Sequence, residues 1–272
     1  TQNELAHTKA LASEKQKELE EKLQREQELK QASLRRTSRL KSLQEMHDSL
    51  EGVFRGVRAV LQAAKSGIQG KSKYRLVADL LGVPEQYRTA IEVALGSHAQ
   101  DIVTDTDANA QAAIEFLKSR NLGRATFLPL DLLRPDRIKP VRQPGVIGVA
   151  ADLVYFPQEV QKAVDVLLGR ILVVENLPTA VRLLRQGAIS GARLVTLDGE
   201  LVNPSGAITG GSREQTAGIL SRKLEIDKLS RQVSEDAKAL KLLEEEVRRT
   251  REELNAIQNK IECLNEEASK QS

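Results

Sequence analysis

Tryptophan is absent from the 272 residues, aromatic side chains make up only 3%, and cysteine and methionine occur once each. The single Cys263 rules out an internal disulfide and fits a reducing compartment. No apolar run approaches the roughly 20 residues of a membrane span, and no signal-peptide pattern opens the chain. We therefore expect a cytoplasmic protein with no membrane partner. The formal net charge is only +3, too weak for an overall basic field to argue for nucleic acid. Catalytic signatures are missing too. There is no Gly-x-Ser-x-Gly elbow and no Gly-x-Gly-x-x-Gly fingerprint. His98 is the only histidine between the charged ends, without His or Cys companions for a metal. No catalytic residue, cofactor or metal is expected.

One string imitates a nucleotide site. Residues 67–72 read Gly-Ile-Gln-Gly-Lys-Ser, but a phosphate loop needs a glycine where Lys65 stands and a strand directly upstream. What precedes it is "FRGVRAVLQAAK", with Phe54, Val57, Leu61 and Ala64 at helical spacing. A long helix ends here, with Gly67 and Gly70 as its terminators.

What the chain does have is two charged ends around a Gly-, Val-, Leu- and Pro-rich middle. From Ile226 a heptad runs with Ile226, Val233, Leu240, Val247, Leu254, Ile261 and Ala268 at a, and Leu229, Leu243, Ile257 and Leu264 at d. Asp236 and Thr250 interrupt the d row. Such length is a coiled-coil signature. At the other end, Leu40, Leu43, His47, Leu50, Phe54, Val57, Leu61 and Ala64 hold one register, and Leu5, Ala12, Leu19 and Leu23 another, so the heptad slips between them. Each striped helix needs a partner. The economical pairing is antiparallel within one chain, a stalk with a globular tip; parallel coils between chains are the rival, since heptads alone do not set orientation. Cys263 falls on the solvated side, and His47 is a tolerated polar core residue. The chain opens at Thr1 inside a charged helical pattern, and we read it as a fragment of something longer.

The middle is duplicated. Ala78-Asp79-Leu80 matches Ala151-Asp152-Leu153, Pro84 matches Pro157, Ala90 matches Ala163 and Gly96 matches Gly169, each offset by 73 (157 minus 84). Each copy reads strand, helix begun near a proline, strand, helix, strand. The second strands are "DIVTD" and "ILVVEN"; "GRATFLPL" and "GARLVTLDG" follow. Two similar α/β subdomains result, with a pseudo-twofold relation. The expected divisions are 1–64 for the first coiled-coil helix, 65–134 for subdomain I, 135–145 for a Pro-rich linker, 146–218 for subdomain II and 219–272 for the second coiled-coil helix. Asp101, Asp105 and Asp107 alternate after a helix; we expect Asp105 or Asp107 to cap the next helix rather than bind a cation.

The unusual string is "LVTLDGELVNPSGAITGGS". Asp198-Gly199 between apolar runs marks a hairpin, Asn203 to Gly206 a turn, and Ala207-Ile208-Thr209 a short last strand closed by Gly210-Gly211. Glycines beside a strand supply positive φ or let another backbone come close. A flexible linker before Ile219 explains the glycine pair alone; an edge strand that pairs with another subunit explains the ordered run as well.

Coil, two-part globule with "GRATFLPL", then "NPSGAITGGS", then coil again resembles the hinge domain of a bacterial-type SMC (structural maintenance of chromosomes) protein, over the whole chain. The resemblance implies an α/β (α+β) hinge of two similar subdomains at the tip of an intramolecular antiparallel coiled coil. It implies a homodimer in which the glycine-bearing strand meets the other subdomain of the mate. Gly206, Gly210 and Gly211 match the interface glycines, with Ser205 and Ile208 beside them; Ser205 stands where the family often has another glycine. ATPase heads and accessory subunits belong at far coil ends that this chain lacks. Sequence-independent DNA binding and a nucleoid location are implied as well. Basic residues that would serve are Lys71, Lys73 and Arg75, then Lys118, Arg120 and Arg124, then Arg222 and Lys223; each is otherwise an ordinary solvated cation. Such contacts are steeply salt-dependent, and scarce aromatics argue against extensive base stacking. The alternative is a ligand-binding or hydrolytic α/β domain inserted in a coiled coil, which convergent carboxylates around Asp101 to Asp107 would favour.

Overall fold

The computed structural model describes residues 2–66, 74–187, 191–211 and 218–270. Two compact units divide the chain, residues 1–44 with 226–272, and residues 45–225. In the first unit two long helices, α1 (Gln2–Asp48) and, at the far end of the sequence, a helix over Ile219–Lys270, pair along their length. Cross-helix ion pairs set the direction. Glu4 meets Lys260 at 3.1 Å, Lys15 meets Glu253 at 2.8 Å, and Lys30 meets Glu244 at 3.1 Å. Partners descend as α1 ascends, so the coil is antiparallel and closed within one chain. The parallel, inter-chain alternative is set aside.

The expected heptad slip in α1 is not there. Leu5, Thr8, Ala12, Lys15, Leu19, Lys22, Glu26, Leu29, Ser33, Arg36, Leu40 and Leu43 form one unbroken a/d series, every member buried or half-buried. Polar residues occupy half of these positions and hide the period. Lys15, Lys22 and Arg36 are tolerated because the facing helix pairs with them, while Thr8 and Glu26 find partners within α1, Glu4 O and Lys30. Lys22 donates to Thr250 Oγ1 at 2.9 Å, and Arg36 Nη1 donates to both oxygens of Asp236 at 2.7 and 2.6 Å. The two polar interruptions at d, Asp236 and Thr250, are thus the buried partners of polar residues opposite. Pairs of this kind fix register more than they stabilise. We expect Asp236→Ala to cost about 2 kcal/mol, below the 3–5 kcal/mol of a fully buried pair because the Arg36 side chain keeps 37% of its exposure. Replacing both partners by leucine should restore most of it. Urea unfolding of the single and double variants measures this, and equal midpoints throughout would refute it.

The second unit begins with a break. The expected continuous N-terminal helix is two helices, because the chain turns at residues 49–54, with Leu50 at φ 55, before α2 (Arg55–Lys65). Leu50, Val53, Val57 and Val60 are nonetheless all buried, so the apolar rhythm persists across a turn that periodicity alone cannot reveal. The reading of Gly67 and Gly70 as terminators, and the string around them, lies outside the described residues.

Subdomain I contains β1 (Arg75–Leu76), α3 (Val77–Leu80), α4 (Arg88–Leu95), β2 (Ile102–Thr104), α5 (Asp107–Ser119) and β3 (Phe127–Pro129). Its sheet runs β1-β2-β3, antiparallel then parallel. Subdomain II repeats it with β4 (Val146–Val149), α6 (Gln161–Leu168), β5 (Ile171–Val174), α7 (Leu177–Arg185) and β6 (Arg193–Thr196), again antiparallel then parallel. It then adds β7 (Leu201–Val202) and β8 (Ile208–Thr209), both antiparallel, and the chain leaves through α8 (Ile219–Lys270).

The duplication holds to the residue. Adding 73 to the bounds of α4 gives those of α6 (88 to 161, 95 to 168). Gly82 and Tyr155, also 73 apart (155 minus 82), exchange both backbone hydrogen bonds, Gly82 N to Tyr155 O at 2.8 Å and Tyr155 N to Gly82 O at 2.7 Å. A residue that pairs antiparallel with its own counterpart sits on the pseudo-twofold axis. Beside it, α4 and α6 bring the equivalent Ala90 and Ala163 into one continuous core with Ile91, Leu95, Val164 and Leu168. At about 1.5–3 kcal/mol for each large apolar side chain buried, this shared core binds the two subdomains into one folding unit.

Candidate functional site

Strand β8 closes the five-stranded sheet as an edge. It pairs with β7 on one side, Leu201 opposite Thr209 and Val202 opposite Ile208. Every residue from Pro204 to Gly211 is exposed, and Ile208 keeps 51% of its surface. The turn into the strand is held by Asn203 N donating to Ala207 O at 2.8 Å and Gly206 N donating to Asn203 O at 2.9 Å. The hairpin expected at Asp198-Gly199 joins β6 to β7.

The three glycines differ in what demands them. Gly206 (φ 91) and Gly211 (φ 123) lie in the left-handed region, which explains them without any partner. Gly210 does not. Among the described residues a Cβ there would meet only the Glu200 side chain, at 3.1 Å from Cγ, which can yield. Neither conformation nor packing against the described residues requires glycine at 210.

The basic residues also sort themselves. Lys71 and Lys73 lie outside the described residues. Arg75 is spent on Asp105, at 3.3 Å, and on Glu159 of the other subdomain. Arg222 donates to the carbonyls of Met46 (3.4 Å) and Glu51 (2.7 Å), closing the C-terminal end of α1. Lys223 is half-buried in the first turn of α8. Lys118, Arg120 and Arg124 are exposed, and Arg120 lies over the Phe116 ring at 5.0 Å. Sequence reasoning missed Arg55, which is exposed beside them because the Gly56 backbone packs on that of Arg124. Only the fold brings 56 and 124 together, so no local signal marks Arg55.

The aspartates diverge rather than converge. Thr106, not Asp105 or Asp107, caps α5, its Oγ1 accepting from Asn109 N at 3.3 Å. Asp105 serves Arg75, so a neighbouring cation outcompetes the helix for its carboxylate. Asp101 is buried and accepts from His98 Nδ1 at 2.7 Å. Burial pushes the Asp101 carboxyl above its ordinary range, while the His98 hydrogen bond pulls it down. Among the described residues, no group of three His, Cys, Asp or Glu is placed to hold a metal. No described helix is long and apolar enough to cross a membrane.

These features define a duplicated α/β domain that ends in an exposed, glycine-flanked edge strand and interrupts an intramolecular antiparallel coiled coil. Residues 71–184 match the family described as the SMC proteins Flexible Hinge Domain. The chain is similar to a hinge domain of Geobacillus stearothermophilus SMC, solved as an asymmetric dimer, with 34% identity, a TM-score of 0.79, and coverage of 89% of this chain and 99% of that one. It also resembles a Pyrococcus furiosus Smc hinge domain with an extended coiled coil, at 26% identity and a TM-score of 0.52 over 98% of each chain. Among curated relatives, the chromosome partition protein Smc of Desulfitobacterium hafniense is 41% identical over 77% of this chain, and that of Bacillus subtilis 36% over 76%. The chain spans 18% of the length of either. It belongs to the SMC hinge family.

Proposed function

We propose that this chain is a homodimerisation hinge, joining two coiled-coil arms of a chromosome-partition protein through β8 of each copy and the opposite subdomain of its mate. Two symmetric contacts close such a dimer, because every chain carries both complementary faces. Gly210 carries the reading: it lies at the end of an exposed edge strand, and close approach of a second backbone is the remaining reason for its lack of a side chain. Ser205, Gly206, Ile208 and Gly211 flank that contact. Light scattering should give twice the mass of the chain; a monomer at micromolar concentration overturns the proposal. ATPase heads, with any accessory subunits, belong to the parts of the longer relatives beyond this chain, and nucleoid association follows from the same reading.

DNA is the second partner, bound without sequence preference through phosphates. Lys118, Arg120 and Arg124 support it, together with Arg55, as exposed cations on one subdomain; Arg75 and Arg222 have structural duties instead. Changing Lys118, Arg120 and Arg124 to Gln should flatten the plot of log affinity against log salt by about 3, at roughly 0.9 per phosphate contact. An unchanged slope for duplex DNA would place the binding surface elsewhere.

A further inference from the structure

The internal repeat supplies its own control. Five residues separate Gly96 from Ile102, but only Arg170 and Ile171 separate Gly169 from Leu172, the counterpart of Ile102 in strand register, so subdomain I carries three extra residues (5 minus 2) within the stretch Ser97-His98-Ala99-Gln100. They form a short 3-10 turn that subdomain II does without. Together with Phe54 and residues 124–126, this insertion walls a cavity of about 200 Å³. At about 30 Å³ per water molecule, that is room for a small polyatomic group and its remaining hydration.

The lining has a consistent chemistry. Asp101 is held from inside by His98 and Thr126 and shows only 8% of its side chain, so its charge is directed at the imidazole. Through Nδ1 it fixes the ring, leaving Nε2 as the free nitrogen of a side chain that is 52% exposed. Arg124 lines the same cavity and has no carboxylate partner among the described residues. Ser97 adds a hydroxyl. The Gln100 carboxamide is occupied, accepting from Phe54 N at 2.7 Å, and so keeps the wall closed. A guanidinium and a hydroxyl donate into one space, and the oriented imidazole joins them as a third donor when its Nε2 carries a proton, the Nδ1 proton being already given to Asp101.

We infer that this cavity receives a phosphate group, held by Arg124 and by the Nε2–H of the His98 imidazolium, with Ser97 beside them. A tetrahedral oxyanion offers several acceptors in diverging directions, and arginine matches it through paired donors. The inference rests on the nucleic-acid reading for one of its two sources: the group is either a backbone phosphate of a strand crossing the Arg55 and Arg124 surface, or part of a free phosphate compound.

Only three histidines occur in the chain, so the His98 ring signals can be followed by proton NMR while inorganic phosphate is titrated at constant ionic strength. A saturable shift confined to His98 is expected, with His7 and His47 unmoved. Arg124→Gln, an exposed change, should weaken that binding about tenfold or more, since a hydrogen bond to a charged group is being lost. No saturation, equal shifts at all three histidines, or the same titration curve in Arg124→Gln would overturn the inference. Competition by a plain duplex lacking terminal phosphates assigns the site to the strand backbone; its absence, with phosphate still bound, assigns it to a free compound. Failure of duplex to bind at any salt would sink the nucleic-acid reading without altering the phosphate titration.

Discussion

Replacing Gly210 by aspartate should leave a folded chain that scatters light as a monomer. The position suits the test because the substitution is cheap inside the subunit. Its backbone lies outside the left-handed region, the position is exposed, and the single near neighbour among the described residues is the flexible Glu200 side chain. Surface changes of that kind stay within about 0.5 kcal/mol. Between subunits the outcome reverses. A side chain would separate two backbones brought together for strand pairing, and a carboxylate would be buried there without a partner, at a cost of several kcal/mol per contact. At 1.4 kcal/mol per tenfold, and with two symmetric contacts, the dissociation constant should rise more than a thousandfold. Gly211→Asp is a poorer probe, since its φ of 123 would strain any side chain and confuse loss of fold with loss of contact. A Gly210→Asp dimer as tight as the wild type would take this strand out of the interface.

Why the glycine strand could be found, and its internal logic could not, is a matter of range. A turn, a short apolar run and a glycine pair are local and legible in order. That Gly206 and Gly211 answer to φ while Gly210 does not is a property of folded backbone. The same divide runs through the coil. The C-terminal heptad was legible because its a positions are apolar without exception. The N-terminal one reads as slipping, because Lys15, Lys22, Glu26, Ser33 and Arg36 occupy core positions, and the partners that Lys15, Lys22 and Arg36 find there belong to the facing helix. The duplication was readable at a constant offset up to Gly96 and Gly169, where the insertion begins. His98 and Asp101, three residues apart across that insertion, carry a weak local signal that a search for His and Cys companions passes over.

Gly56→Ala should cost about 3 kcal/mol in unfolding free energy, although alanine ordinarily improves a helix by about 1 kcal/mol over glycine. Gly56 lies in the first turn of α2, buried where that helix crosses the loop after α5. A Cβ there would stand 2.3 Å from the Arg124 carbonyl oxygen, 2.6 Å from its carbon and 2.9 Å from its nitrogen. All three are backbone atoms, so no rotamer change relieves the clash; the loop or the helix must move, at the upper end of the 1–3 kcal/mol range for overpacking or beyond it. For a unit of this size that is a melting shift of roughly 6–12 °C downward. Melting should be compared in the Gly210→Asp background, so that dissociation does not enter the measured stability. Gly82→Ala is the matched control: its Cβ would meet Tyr155 Cβ at an ordinary 3.4 Å, and little change is expected. The crossing also holds Arg124 beside the cavity, so Gly56→Ala should blunt the phosphate response of His98 even well below the melting transition. Wild-type melting together with a wild-type phosphate titration would mean that α2 and the 124 loop are not in contact, and that Arg55 and Arg124 do not share a surface.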